Sequence, residues 1–99
     1  MRQLSQREIA MIFEYYLLNL KDHEFTKLQG QYLAFIVAYT KLNRRPPAEA
    51  DFRRYFTVTP PSVHNMIVAL ERRGLIKRTP GRPRSIEVLV PLSAIPPLD

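Results

Sequence analysis

Residues 59–90, TPPSVHNMIVALERRGLIKRTPGRPRSIEVLV, contain the clearest local structural signals in the chain. Thr59 is a good N-cap, and Pro60 suits the first helical position, where a missing backbone N–H leaves no hydrogen bond unmade. The helix should continue to Arg73 and end at Gly74, because glycine adopts the left-handed C-terminal cap without steric cost. This stretch therefore predicts a helix with clear start and stop signals, followed by about 16 residues without a helical pattern.

The predicted helix has one apolar and one polar face. At about 100° per residue, its core-facing residues are Val63, Met66, Ile67 and Leu70. The opposite face carries Pro61, His64, Asn65, Val68 and Arg72. Because the apolar face is needed for the core, the other face is available for contact with another molecule.

A hairpin with a basic tip is predicted after Gly74. Residues 75–78 and 85–90 have the composition of two strands, and residues 79–84 contain the proline and glycine typical of a turn. The inward positions of the second strand are Ile86, Val88 and Val90. The pattern predicts a short antiparallel hairpin.

The hairpin tip carries Arg82 and Arg84 among prolines. Its Gly-Arg-Pro sequence is also the core of an AT-hook, in which an extended arginine segment lies in the minor groove of A·T-rich DNA. Narrow grooves concentrate negative potential, and this potential attracts arginine. The alternative is a rigid proline turn with exposed charges. We expect Arg82 and Arg84 to lie in or over the minor groove.

Two capping boxes indicate helices upstream. Ser5–Glu8 predicts a helix from about Gln6 to Leu20, and Thr26–Gln29 predicts one that continues to about Leu42. The expected core-facing residues of the second helix are Leu28, Tyr32, Phe35, Ile36, Tyr39 and Leu42. The first helix is apolar around most of its circumference, so it either lies across the core or pairs with a second copy of the chain. We favour pairing with a second copy.

A short helix should separate these elements from residues 59–90. Pro46 and Pro47 end the preceding helix, because proline lacks a backbone donor and disfavours the helical conformation of its predecessor. A helix from about Ala48 to Tyr55 should follow, with Phe52 turned inward. The link at residues 57–58 is short enough to form a tight turn.

Together these elements predict a mainly α fold with a small β-hairpin. A short helix, a tight turn and a second helix with a polar face form a helix-turn-helix, and the hairpin forms a wing beside it. We therefore expect a winged helix-turn-helix with a three-helix core and an extra N-terminal helix. The expected regions are an N-terminal helical extension and candidate dimerisation element at 1–24, the winged helix-turn-helix domain at 25–90 and a Pro-rich C-terminal tail at 91–99.

Positive charge is concentrated in the second half of the chain. Residues 44–99 carry ten basic and five acidic side chains, so +5 of the net charge of +6 falls on them. Nine of these ten basic residues are arginine, whose planar fork suits phosphates and base edges. The expected DNA backbone contacts are Arg44, Arg45, Arg53, Arg54, Arg72, Arg73, Lys77 and Arg78. Ordinary solubility is the alternative for two or three of them.

The polar face of the helix that follows Thr59 supplies the candidate base contacts. In helix-turn-helix domains the N-terminal residues of the second helix approach base edges in the major groove. Asn65 can pair bidentately with adenine, His64 can donate to a guanine acceptor, and Pro61 can touch a thymine methyl. The expected base contacts are Thr59, Pro61, Ser62, His64 and Asn65. A solvated helix surface is the alternative for His64 and Asn65.

Other functional classes find little support in the sequence. The two histidines, His23 and His64, lack metal-ligand spacing, there is no cysteine, and the three glycines form no phosphate-cradling loop. We therefore expect no enzyme activity, no metal and no cofactor. No run approaches the roughly 18 apolar residues that suggest a membrane span, so we expect a cytoplasmic, nucleoid-associated protein without membrane contact.

Three segments resemble the winged-helix DNA-binding domain of the LexA repressor family, over about residues 25–90. They are Phe25–Gln29, Arg45–Ala50 and the stretch that runs from Thr59-Pro60 to Leu70-Glu71-Arg72-Arg73-Gly74-Leu75-Ile76. The resemblance implies that Thr59, Pro61, Ser62, His64 and Asn65 occupy the family's base-reading positions. Pro61 replaces the family's asparagine, and His64-Asn65 replace its pair of glutamates. The resemblance therefore implies a shared docking mode without a shared target sequence.

The chain ends where that family would continue into a self-cleaving, dimerising domain, so we expect no autoproteolysis and no dimerisation from such a domain. The N-terminal helix is the remaining candidate for dimerisation, and it makes the architecture similar also to small MarR-like, phage and plasmid regulators.

We expect a bacterial or mobile-element transcriptional regulator that binds double-stranded DNA sequence-specifically. Its recognition helix would occupy the major groove and its arginine-rich wing the minor groove. One alternative is a winged-helix adaptor that docks on other proteins through its apolar N-terminal helix. Another is RNA binding, which shares the basic surface but lacks a platform of exposed aromatic side chains.

Overall fold

The computed structural model describes residues 3–12 and 25–99. Residues 6–12 are helical. The elements that follow are the helices α1 (Lys27–Asn43), α2 (Glu49–Phe56) and α3 (Pro60–Arg72), the strands β1 (Ile76–Lys77) and β2 (Glu87–Val88), and a 3₁₀ helix (Leu92–Ala94). This is the predicted mainly helical fold with a hairpin wing, and α2 and α3 form the helix-turn-helix.

Local hydrogen bonds set the starts of the helices as the sequence predicts. The Glu8 backbone N–H donates to Ser5 Oγ at 3.1 Å, and the Ser5 N–H donates to Glu8 Oε1 at 3.3 Å. The second capping box has the same form, with 3.1 Å from the Gln29 N–H to Thr26 Oγ1 and 2.9 Å from the Thr26 N–H to Gln29 Oε1. Residues 13–20 of the predicted first helix, and the connection at 21–24, lie outside the described residues.

The ends of α3 also follow the prediction. Thr59 is the N-cap, and its Oγ1 accepts from the Ser62 N–H at 3.4 Å. Arg73 is the C-cap residue, so the helix ends one residue earlier than expected. Gly74 follows with φ +72°, the left-handed conformation that glycine adopts without strain.

The core lies where α1, α2 and α3 meet the hairpin. Aromatic rings join α1 to α2, with centroids 4.4 Å apart for Tyr32 and Phe56 and 5.0 Å apart for Phe35 and Phe52. From α3, the fully buried side chains are Val63, Ile67 and Leu70. The hairpin adds Leu75, Ile76, Ile86 and Val90, all at 7% exposure or less. Phe52 and the alternating hairpin residues therefore face inward as predicted.

The predicted apolar stripe of α1 is wrong at both ends. Leu28 is 52% exposed and Leu42 is 82% exposed, whereas Leu33, absent from the prediction, is completely buried. At about 100° per residue, Leu28 and Leu42 lie about 140° and 180° around the helix from Leu33. Both leucines therefore point toward solvent.

The hairpin strands are shorter than predicted, with two residues each in place of four and six. They run antiparallel, with Ile76 opposite Val88. Side-chain hydrogen bonds replace the strand ladder nearer the tip, where Ser85 Oγ accepts from the Thr79 N–H at 3.0 Å and lies 2.8 Å from the Arg82 carbonyl oxygen. The wing therefore consists mainly of a turn that the Ser85 side chain closes, with only a short pair of strands at its base.

Residues 91–99 fold back onto α1. Gln31 Nε2 donates to the Pro97 carbonyl at 2.9 Å, and the Asp99 N–H donates to Gln31 Oε1 at 2.8 Å. A Cβ atom on Gly30 would lie 3.0 Å from Pro96 Cγ, so the absence of a side chain there permits this close approach. Ile95 and Leu98 pack against the core.

No helix within residues 3–12 and 25–99 has the length and apolar character needed to cross a membrane.

Candidate nucleic-acid interface

The five residues predicted to contact bases share one exposed surface at the start of α3. They are Thr59, Pro61, Ser62, His64 and Asn65, and each is exposed. The opposite face of the same helix is completely buried at Val63 and Ile67. Burial of one face fixes the rotation of α3 about its axis and directs the other face outward.

The hydroxyls at the start of α3 also bond to each other. Thr59 Oγ1 and Ser62 Oγ lie 2.9 Å apart, and either can be the donor. Thr59 Oγ1 in addition accepts from the Ser62 backbone N–H. Capping therefore holds both side chains in place on the outward face, where each keeps lone pairs for an external donor.

A cleft separates the start of α3 from α2. It is lined by Glu49, Arg53, Pro60, Pro61, His64 and Asn65. Within it, His64 Nδ1 lies 3.4 Å from Glu49 Oε1, and both side chains are about half exposed. Three predicted base-contact residues thus share a cleft with Arg53, which the sequence assigned to the DNA backbone.

The eight residues predicted to contact the DNA backbone fall into two groups. Within the described part of the chain, no side-chain hydrogen bond or ion pair involves Arg44, Arg45, Arg53 or Arg72, and all four are exposed. The other four have intramolecular partners: Arg54 with Asp51 at 3.0 Å, Arg73 with Gln29 at 3.3 Å, Lys77 with Glu87 at 3.5 Å and Arg78 with Glu71 at 3.0 Å.

Arg78 and Glu71 connect the end of α3 to the start of the wing. Arg78 Nη2 donates to Glu71 Oε1 at 3.0 Å, and Arg78 Nε donates to Glu71 Oε2 at 3.4 Å. The hydrogen bond from Arg78 is the main reason that the pKa of Glu71 lies below its ordinary value. The Arg78 side chain is 29% exposed, so its placement favours a structural contact within the chain.

The wing tip holds Arg82 on an ordered turn. The Arg82 N–H donates to the Thr79 carbonyl at 3.1 Å, and Gly81 adopts φ +74°. Arg82 is exposed, and no described residue pairs with its guanidinium. The placement of Arg82 is thus compatible with contact to an external anion.

Arg84 is directed away from the tip and into the body of the protein. Its Nη1 lies 3.0 Å from Asp51 Oδ2, 3.2 Å from the Tyr39 hydroxyl and 3.3 Å from the Pro46 carbonyl oxygen. The expectation that Arg82 and Arg84 act together at the minor groove does not match this placement. The physical reason is the nearly buried carboxylate of Asp51, which needs a cationic partner.

Asp51 is a residue beside the candidate interface that sequence analysis missed. Its side chain is 8% exposed and accepts from the Ala48 N–H at 2.8 Å and from Arg54 Nη2 at 3.0 Å, as well as from Arg84. Burial raises the pKa of Asp51, but the Ala48 N–H, Arg84 and Arg54 together hold it below its ordinary value. The sequence does offer one signal for Asp51, because an acidic residue at the third position of a helix often caps its start. It offers none for the contact with Arg84, which lies 33 residues away.

Within residues 3–12 and 25–99, no group of three histidine, cysteine, aspartate or glutamate side chains is placed to hold a metal ion.

The sequence of this chain is similar to those of known proteins. A family model described as LexA DNA binding domain matches residues 22–85. The LexA repressor of Thermosipho africanus is 36% identical over 66 residues, which cover 67% of this chain and 33% of the relative. The LexA repressor of Exiguobacterium sibiricum is 38% identical over 68 residues, which cover 68% of this chain and 33% of the relative.

The chain spans about one third of the length of the curated relatives that it matches. The matched residues contain α1, α2, α3 and the wing turn, which are the elements that carry the candidate interface. The chain belongs to the LexA DNA binding domain family.

Proposed function

We propose that this chain binds double-stranded DNA sequence-specifically and represses transcription, with α3 in the major groove. The observation that carries the proposal is the outward face of α3, which presents five exposed residues opposite a buried apolar face. Membership of the LexA DNA binding domain family supports the same activity. A bacterial or mobile-element regulator is the expected biological setting.

Base recognition is proposed to come from the start of α3. Asn65 has the amide geometry for a bidentate contact with adenine, and Pro61 offers an apolar surface to a thymine methyl. Thr59 and Ser62 complete the surface with hydroxyls that can bond to bases or phosphates. Because these residues depart from the LexA pattern at Pro61, His64 and Asn65, we expect a target sequence different from the family's usual operator.

Affinity is proposed to come from exposed arginines. Arg44, Arg45, Arg53 and Arg72 are exposed and carry no described intramolecular ion pair, so their charges are available to phosphates. Arg82 would enter the minor groove from the wing, where narrow A·T-rich segments attract arginine. The paired residues Arg54, Arg73, Lys77 and Arg78 remain in the proposed set as weaker contributors.

Dimerisation through the N-terminal helix is part of the proposal. In residues 3–12, the exposed apolar side chains are Leu4, Ile9, Met11 and Ile12, at 44–63% exposure. Pairing of this surface with a second copy would bring two recognition helices to one DNA site, as in other dimeric helix-turn-helix proteins. The same surface is the basis of the second candidate function, an adaptor that docks on another protein.

Selection of bound duplexes from a random pool, at low and at moderate salt, tests the proposal. Enrichment of a sequence motif is the expected result. Strong salt dependence without a motif would indicate a non-specific DNA binder, and absence of binding at both salts would favour the adaptor. Sedimentation of the unbound chain tests the dimer, with Ile9→Glu as the disrupting variant.

Two variants make the selection residue-specific. Asn65→Ala should change the selected base at one or two positions while affinity for random duplex changes little. The matched control is Asn43→Ala, which removes an exposed asparagine at the end of α1, outside the α3 surface. Equal losses on all duplexes for Asn65→Ala would contradict base contact by that residue.

A further inference from the structure

Arg84 has an unusual backbone conformation for its residue type. Its φ is +52°, in the left-handed region that costs an L-residue roughly 1–2 kcal/mol. Such a conformation persists only where surrounding contacts determine it. The contacts in this case are the three hydrogen bonds of the guanidinium.

These hydrogen bonds attach the wing to three different parts of the helical body. Tyr39 belongs to α1, Pro46 to the connection between α1 and α2, and Asp51 to the first turn of α2. The carboxylate of Asp51 is 8% exposed, so its ion pair with Arg84 is poorly screened by solvent. Charge-assisted hydrogen bonds in such surroundings are stronger than neutral ones.

Buried hairpin side chains such as Ile76 and Ile86 anchor the base of the wing. In residues 79–85, by contrast, the described hydrogen bonds that reach the helical body all come from Arg84. Arg84 fixes the returning half, two residues after Arg82. The position of Arg82 relative to α3 therefore depends on the Arg84–Asp51 pair.

We propose that Arg84 is a positioning residue for DNA binding, which acts through Asp51 to place Arg82 in the minor groove while α3 occupies the major groove. The inference rests on the proposed function and deepens it by assigning the wing two different arginines with two different roles. Because the pair forms without DNA, the wing is ordered before binding. The entropic cost of ordering it therefore does not weaken the binding of DNA.

A direct DNA contact by Arg84 predicts the opposite result in one variant. Asp51→Asn removes a negative charge and releases Arg84 from its ion pair. If Arg84 were a DNA contact, this variant would bind DNA more tightly. If Arg84 positions the wing, the variant binds DNA less tightly although the net charge of the protein has become more positive.

The decisive measurement is a double-mutant cycle between Arg82 and Asp51 on a duplex selected by the unmodified protein. Arg82→Ala should weaken binding about fivefold to tenfold in the unmodified chain and less than about twofold in the Asp51→Asn background. It should also reduce the slope of log affinity against log salt by about one in the first background only. A purely structural role for Asp51 would lower stability without removing this dependence on Arg82.

Two further variants keep the test informative if Asp51→Asn folds poorly. Tyr39→Phe removes one hydrogen bond to Arg84 without a change of charge and should reduce the effect of Arg82→Ala partially. Arg84→Lys keeps the charge and one nitrogen for the same three acceptors, so it should retain more affinity than Arg84→Gln. Thermal unfolding of each variant establishes that the assay temperature lies below its transition.

The outcomes separate this inference from the proposed function. An equal effect of Arg82→Ala in both backgrounds, or tighter binding by Asp51→Asn, overturns the positioning role. Full affinity in Arg84→Gln overturns it as well. Failure of the unmodified chain to select any duplex overturns the proposed function instead. Lys27→Ala, at the start of α1, is the charge-loss control and should leave the cycle unchanged.

Discussion

Asp51 occupies the first turn of α2, where a carboxylate is shared by a backbone N–H and two arginines. These partners hold the pKa of Asp51 below its ordinary value of 3.8. The folded protein therefore binds this proton less tightly than the unfolded chain does. The resulting stabilisation is fully present above the unfolded pKa and is lost as pH falls through the lower, folded pKa.

Asp51→Asn should accordingly destabilise the fold in a pH-dependent way. We expect a loss of about 1–3 kcal/mol in the free energy of unfolding at pH 7, because charged hydrogen bonds to Arg54 and Arg84 are weakened. The difference from the unmodified chain should shrink below about pH 4. Urea unfolding at pH 7 and pH 3 measures both values. An equal difference at the two pH values would contradict this account.

The control for that experiment is Glu87→Gln. Glu87 is 63% exposed and lies 3.5 Å from Lys77, so it forms an ordinary surface ion pair. Such pairs contribute about 0–1 kcal/mol. We expect little change in stability at either pH.

His64 and Glu49 support a prediction about base identity. His64 Nδ1 faces Glu49 Oε1 at 3.4 Å. We expect the carboxylate to favour the tautomer with its proton on Nδ1, which leaves Nε2 as an acceptor. An acceptor suits the exocyclic amines of adenine and cytosine more than guanine, whose major-groove edge has only acceptors. This expectation differs from the one drawn from the sequence, in which His64 donates to guanine.

Glu49→Ala should therefore change the base selected opposite His64. Without the carboxylate, the imidazole can carry its proton on Nε2 and donate, so guanine should become acceptable at that position. Selection from the random duplex pool measures the change, with Glu87→Ala as a control carboxylate on the wing. An unchanged preference in Glu49→Ala would show that Glu49 does not set the tautomer.

At the level of elements, the sequence predicted best what neighbouring residues determine. The capping boxes at Ser5 and Thr26 and the glycine after α3 involve residues at most a few positions apart, so their patterns are visible in the chain. The outward face of α3 followed from helical period alone. These signals were enough for the winged helix-turn-helix and for the location of the candidate interface.

Contacts between distant residues were not predictable in this way. The exposed ends of the α1 stripe depend on which part of α1 the other helices cover, and Leu28 and Leu42 therefore looked like core residues. The short strands depend on Ser85, whose hydroxyl replaces the ladder near the tip. The pairing of Arg84 with Asp51 joins residues 33 positions apart, so no local pattern indicates it.

The docking of residues 91–99 on α1 gives a prediction at this scale. On helix propensity alone, Gly30→Ala would stabilise α1 by up to about 1 kcal/mol. The added Cβ atom would, however, lie 3.0 Å from Pro96 Cγ. We expect the tail to be displaced and the Asp99 amide, which donates to Gln31, to exchange its hydrogen faster. Gln31→Ala should have the same effect, and Lys41→Ala should have none. Unchanged Asp99 exchange in Gly30→Ala would show that the tail accommodates a methyl group.

For the molecule as a whole, the distribution of charge predicts the salt dependence of binding. Among the residues predicted to contact DNA, five exposed arginines have no described intramolecular pair, namely Arg44, Arg45, Arg53, Arg72 and Arg82. Neutralisation of about five phosphates corresponds to a slope of log affinity against log salt of about −4 to −5. Arg72→Ala should reduce the slope by about one, and Lys27→Ala should leave it unchanged. A slope near zero would exclude phosphate contact as the source of affinity.

Stability of the whole domain is influenced by the turn between α2 and α3. Thr57 there has φ +55°, and a β-branched residue is strained in the left-handed region. Thr57→Asn should relieve about 0.5–1 kcal/mol, because asparagine tolerates this conformation. We expect the midpoint of thermal unfolding to rise by about 3–6 °C, measured by circular dichroism. A lower midpoint would mean that the threonine side chain contributes more than its strain costs.

The strained turn at Thr57 is a position at which stability can be gained for studies of the interface. Thr57 lies outside the proposed base contacts, so stability gained there can be combined with variants such as Asp51→Asn that lose stability. Affinity differences in the combined proteins would then reflect the DNA-binding surface rather than the fraction of molecules that are unfolded. The substitution Thr57→Asn would thus keep destabilised variants folded, so that their affinity for DNA can be measured.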